Sequence, residues 1–223
     1  MRLFHRKEML KTTWTLRLVV LLVLVILVSV SRGIWAPWIG QSLVCREQLG
    51  PGDVILVENF DPNYLVFERA AALQKAGIAA RVLVPAPASR DTGVADTVSQ
   101  GIAELMARVA RIPTVEILPI REVEPISLTA AYQIRDFLEK EQLKSVLLVT
   151  PGFRSRRSAL VYHAVIEAAG IRVFCVPVFG EKTPANWTAT WHGIQEVTEQ
   201  LVKLQFYRFY LLPFAARDAS RGP

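Results

Sequence analysis

Cysteine and histidine are too scarce in this chain to build a metal centre or a disulfide framework. The two cysteines, Cys45 and Cys175, have no metal-ligand spacing around either one. An oxidising compartment would let them pair. Cys175, however, sits in the apolar run VFCVPV, where a lone cysteine behaves as a small apolar side chain; two thiols are expected rather than a bridge. The three histidines are scattered: His5 in the basic tail, His163 inside a helical stretch and His192 near the start of the last one. They form no His-x-x-x-His pair and no Ser/His/Asp order. Glycine is missing between Val54 and Lys75, where a dinucleotide-binding fold carries its glycine-rich turn, so a standard dinucleotide site is not expected. Internal repeats and low-complexity segments are absent too.

Uniform charge is also lacking. The net charge is +6, but from Gly40 onward 20 basic residues face 19 acidic ones. The excess lies in the first residues, and no basic stripe interleaves with aromatics, so nucleic acid is not an expected partner. What the beginning of the chain does have is one long apolar run. Residues 18–30 read LVVLLVLVILVSV, thirteen positions with Ser29 as the single polar side chain. Widened to 14–31, the run reaches the roughly 17–20 residues that cross a bilayer. Arg2, Arg6, Lys7, Lys11 and Arg17 precede or open it, which orients the N-terminus to the cytoplasm and the rest outward. Ser29-Val30-Ser31 has the small-x-small form of a signal cleavage site. The length of the run, with Trp35 and Trp38 following like interfacial anchors, favours an uncleaved anchor. The expected organisation is a cytoplasmic tail over 1–13, an anchor and interfacial linker over 14–39, one α/β domain over 40–212 and a flexible tail over 213–223. The expected location is a membrane, with the domain outside the cytoplasm.

Beyond the linker, short apolar runs alternate with longer helical stretches. Strands are expected over 53–58, 81–84, 114–118, 145–150 and 172–178. Helices are expected over 64–76, 96–110, 127–141, 155–169 and 187–204, with Asp96 an N-cap. Such alternation predicts βαβ units and a parallel sheet covered on both faces. Right-handed crossovers make it a three-layer α/β sandwich with a parallel five-stranded core. Ligands in such folds bind at the carboxyl ends of the strands, where the strand order reverses.

Three segments at those ends could carry chemistry. Residues 150–158 read TPGFRSRRS, a strand end, a glycine turn and a helix start crowded by Arg154, Arg156 and Arg157. Ser155 or Ser158 can cap that helix. Its free N–H groups, together with guanidinium forks, suit a phosphate or carboxylate. The bland alternative has two arginines in water and one paired with a local acid. Residues 122–129 read EVEPISLT. Ser127 or Thr129 is expected as an N-cap, and Glu124 as a salt-bridge partner of Arg157, a hydroxyl acceptor or a base. The third segment is Glu58-Asn59-Phe60-Asp61 at the end of the first strand. Asn186-Trp187-Thr188 fits a glycosylation sequon, a triplet that arises often by chance.

Laid out this way, the chain from about Gly52 to Leu212 resembles the YdcF/SanA/ElyC family of bacterial envelope-associated proteins. The segment LLVTPGFRSRRSALVYHAVIEAAGIRVFCVPV is similar to the family's strand, T-x-x-[FY]-H-x-x-R-[AS] turn and helix, with Thr150, Phe153, Arg157 and Ser158 matching and Arg154 standing in place of the His. Arg69, Ala71, Leu73 and Gly77 fit its first helical segment; Glu124, Ser127 and Thr129 resemble its E-x-x-S-x-N-T element, one residue short and without the Asn. The family's glycines after the first two strands are replaced by Glu58-Asn59 and Pro85-Ala86-Pro87. Together with the alternation, the resemblance implies a three-layer Rossmann-like sandwich with its five strands in the order 3-2-1-4-5, often anchored in the bacterial inner membrane with the domain periplasmic or extracellular, in envelope biogenesis or polysaccharide handling. It also implies a small phosphorylated or nucleotide-like ligand at Glu124, Ser127, Thr129, Thr150, Arg154, Arg157 and Ser158. No cofactor follows from it. A hydrolase or transferase acting on a lipid- or sugar-linked phosphate, with Glu124 as base, and a non-catalytic subunit with a degenerate site are the alternatives.

Overall fold

A computed structural model describes residues 13–59, 63–88 and 93–214. The order of elements is α1 (Trp14–Val30), α2 (Arg32–Ser42), β1 (Val54–Val57), α3 (Tyr64–Lys75), β2 (Arg81–Pro87), α4 (Thr97–Val109), β3 (Glu116–Ile120), α5 (Ile126–Lys140), β4 (Ser145–Pro151), α6 (Ser155–Ile166), β5 (Arg172–Val178) and α7 (Trp191–Phe206). Short 3-10 turns precede α6 and α7, and a π turn (Tyr207–Leu211) extends α7. The basic tail over 1–12, Phe60, Asp61 and the last nine residues lie outside the described residues.

The five strands form one parallel sheet in the expected order β3-β2-β1-β4-β5. β1 is buried at all four positions. Its side chains alternate between layers: Val54 and Leu56 pack with α5 and α6, Ile55 and Val57 with α3 and α4. That arrangement explains why the strand reads as an unbroken apolar run. β2 continues through Pro85 and Pro87, past the expected end at Val84. Its pairing with β1 stops at Leu83, while pairing with β3 runs to Pro87. The prolines thus fall where one side of the strand is open and no ladder donor is needed there.

Several local expectations need correction. α5 begins at Ile126, with Pro125 in the N-cap position, so neither Ser127 nor Thr129 caps it. The Thr129 N–H is already satisfied by Pro125 O (3.1 Å). Ser155 opens α6 instead of capping it, and its Oγ accepts from Cys45 N (2.9 Å). The last helix starts at Trp191, after a 3-10 turn over Trp187–Ala189. Pro213 and Phe214 belong to the helical end, inside the span expected to be a flexible tail.

The two cysteines are joined, contrary to the expectation of two thiols. Cys45 and Cys175 form a disulfide with a Cα–Cα distance of 6.4 Å. Sequence reading placed Cys175 correctly in an apolar strand. It could not see that the segment after α2 returns alongside β5, where Gln48 N donates to Cys175 O (3.0 Å).

No single helix among the described residues is long and apolar enough to cross a membrane. α1 and α2 together form an apolar pair bent by 66° at Ser31.

Two outcomes follow from the way β5 and β1 are tied down. The disulfide closes a loop of 130 residues. Replacing both cysteines by serine, or adding reductant, is expected to lower stability by about 2–5 kcal/mol, read as a shifted denaturation midpoint. Asp53 sits just before β1, where its Oδ2 accepts from Lys144 N (2.7 Å), Ser145 N (2.9 Å) and Ser145 Oγ (3.1 Å). The Lys144 N–H, more than any other group, lowers its pKa below the ordinary 3.8. A depressed carboxylate stabilises the fold above the unfolded pKa, and that contribution is lost as pH falls through the folded one. Thermal melts between pH 5 and pH 2 should therefore decline less steeply for Asp53→Asn than for the natural chain.

Candidate functional site

β1 and β4 are neighbours that send their following helices to opposite faces of the sheet, and Glu58 stands where they part. Its main-chain N–H continues the ladder to Val149 O (2.9 Å). Its carboxylate, 1% exposed, is buried. Ser158 Oγ donates to Oε2 (2.6 Å) and Oε1 (2.9 Å), Thr150 Oγ1 donates to Oε2, and Arg154 Nε lies 3.3 Å from Oε1. A buried charge is tolerated only when paired and hydrogen-bonded in this way. Tyr162, one turn beyond Ser158, is fully buried, and burial raises its hydroxyl pKa well above the ordinary value of 10.

In the turn that delivers these groups Gly152 lies against the Phe179 ring: a Cβ there would lie 2.1 Å from it, so a larger residue would have to displace that ring. The turn sorts the three arginines: Arg154 and Arg157 are buried, and Arg156 is exposed.

Arg157 faces a second environment. It is 4% exposed, yet among the described residues no carboxylate lies within ion-pair distance of it. Nη1 donates to Ser127 Oγ (2.9 Å), Nη2 donates to Gln200 Oε1 (3.3 Å), and the guanidinium lies 5.3 Å from the centre of the Tyr207 ring. Nε has no hydrogen-bond partner. Burial first, then the neighbouring Arg154 charge, pushes the Arg157 pKa down, partly offset by Glu58. The expected Glu124–Arg157 salt bridge is not formed: Glu124 is exposed at the rim, while Ser127 and Gln200 hold the guanidinium from α5 and α7.

The loops after β3 and β4 do face one another. Between them and the end of α7 is a cleft of about 350 Å³, whose walls include Glu124, Ser127, Arg154, Arg157, Lys203 and Tyr207. Of the expected site residues, Glu124, Ser127, Arg154 and Arg157 therefore meet there. Thr150 and Ser158 lie below, engaged with Glu58. Thr129 is half-buried in α5 and does not line the cleft. Gln200, Lys203 and Tyr207 were not anticipated, because no local motif marks them and only the packing of α7 brings them in. Glu58 had one local signal, a carboxylate ending an otherwise apolar strand. The described residues hold no His/Cys/Asp/Glu group suited to a metal.

If the Glu58 cluster holds β1 to α6, Glu58→Ala should cost about 3–5 kcal/mol, the penalty for breaking a buried pair. Glu58→Gln, which keeps an acceptor oxygen, should cost less. Urea midpoints of the two variants decide the matter, and a natural midpoint for Glu58→Ala would show the cluster to be dispensable.

No protein-family model matches the chain, and no curated protein matches it.

Proposed function

We propose that this is a single-pass, membrane-anchored, outward-facing α/β protein of the YdcF/SanA/ElyC type. In this reading it binds a small phosphorylated or nucleotide-like ligand in the cleft between the loops after β3 and β4, in envelope biogenesis or polysaccharide handling. The observation that carries ligand binding is Arg157: a buried guanidinium held by neutral groups, with one donor unused, beside a cleft. Uncompensated buried charge is costly, and an anion would offset it while accepting the forked donors that suit phosphate. Arg154 and Lys203 line the same cleft. The location is supported by the apolar α1 behind a basic tail and by the disulfide, since such bonds persist in oxidising compartments.

No catalytic residue is assigned. Among the described residues lining the cleft, the Ser127 hydroxyl is engaged by Arg157 and not by a base.

Titration of the full chain in detergent with inorganic phosphate, and then with sugar and nucleoside phosphates, tests this reading. Arg157→Lys keeps the charge and loses the fork, so affinity should fall by roughly 5- to 150-fold, about 1–3 kcal/mol. The exposed Arg156→Lys should leave it unchanged. Equal binding to the natural chain and Arg157→Lys would place the ligand elsewhere.

A further inference from the structure

The α/β body is mounted on α1 without a free linker. Trp35 Nε1 donates back to Val28 O in the last turns of α1 (3.0 Å), and its ring meets Trp187 edge-on at 6.1 Å. Trp187 Nε1 in turn donates to Ala36 O (2.8 Å). Gly40 lies so close to the body that a Cβ would stand 2.8 Å from Pro184 Cα. Just beyond, Arg156 N donates to Leu43 O (2.9 Å), and the disulfide at Cys45 locks the segment to β5.

These contacts give α2 two unlike faces. Trp35, Ala36, Ile39 and Leu43 are turned to the body. Ile34 and Trp38, one helical turn apart, are 80% and 75% exposed. Trp35 and Trp38, alike in sequence as interfacial anchors, thus have different roles. α1 is 17 residues long, about 25 Å of helix, shorter than a hydrocarbon core of about 30 Å; in the membrane-anchor reading it therefore stands nearly upright, with the bilayer thinned around it. The 66° bend then lays α2 within about 25° of the membrane plane. The body lies on the water side of α2, so the face bearing Ile34 and Trp38 points to lipid.

We infer that α2 is an interfacial helix: Ile34 and Trp38 seat in the headgroup region of the bilayer while the opposite face clamps the α/β body. The occupant of this face is a lipid surface. It is continuous with α1, and tryptophan favours the membrane–water boundary. The inference rests on the membrane-anchor reading above. Its consequence is that the fold, not a flexible linker, sets the height and tilt of the ligand cleft over the membrane.

The test uses the full chain in phosphatidylcholine–phosphatidylglycerol vesicles. Both native cysteines are oxidised, so a single added cysteine is the only free thiol. Nitroxides are attached in Trp38→Cys and Ile34→Cys, and in Lys140→Cys at the exposed end of α5 as a reference. Power saturation compares access by oxygen, which partitions into lipid, with access by a water-soluble nickel chelate. At positions 34 and 38 oxygen access should exceed nickel access several-fold, with the reverse at 140. Carbonate extraction of the same vesicles reports insertion. If the chain resists extraction but nickel reaches 34 and 38 as readily as 140, the interfacial assignment is overturned and the anchor stands. If carbonate releases the chain, both fall.

Discussion

The buried carboxylate of Glu58 is the constraint around which the sheet centre is organised. It lies at the end of β1, where the strand order reverses, and binds Thr150 from β4, Arg154 from the following turn and Ser158 from α6. Two adjacent parallel strands are thereby tied to the first turn of one helix by polar contacts in a dry interior. Such contacts are strong because water cannot compete, and costly if one partner is removed. In place of a glycine turn, this chain ends β1 in a buried polar cluster built on Glu58.

The candidate site lies to one side of that cluster. Arg157, one residue before Ser158, points away from Glu58 toward Ser127, Gln200 and Tyr207. The two buried arginines divide the labour: Arg154 sits beside the carboxylate, while Arg157, held by the neutral Ser127 and Gln200, brings a charge to the cleft wall. The cleft is completed by α7 and its π-turn extension, so ligand affinity would depend on how the C-terminal helix packs as much as on the loop that carries the arginines.

The N-terminal side shows the same economy of contacts. A helix that follows the apolar run is clamped to the body by an indole pair, a glycine contact and a disulfide. Because the disulfide spans 130 residues, it restrains the unfolded chain strongly while fixing the segment after α2 to β5.

The strand order is expected from the alternation together with the resemblance; the sequence by itself determined the α/β class, the number of strands and the loops that converge. Those features follow from apolar runs, helical periodicity and handed crossovers, all of them local or topological. It also marked Arg154, Arg157, Ser127 and Glu124 as neighbours, since both loops end parallel strands. Only tertiary structure decided that Cys45 meets Cys175, that Glu58 is the buried partner of Thr150 and Ser158, and that Arg157 pairs with Gln200 and Ser127 rather than Glu124. It also decided that Trp35 turns inward while Trp38 stays exposed. Each of these depends on contacts between residues far apart in sequence, or on a helix start shifted by one residue. A shift of one residue rotates a side chain by about 100° around a helix, enough to turn an expected cap or ion pair away from its partner.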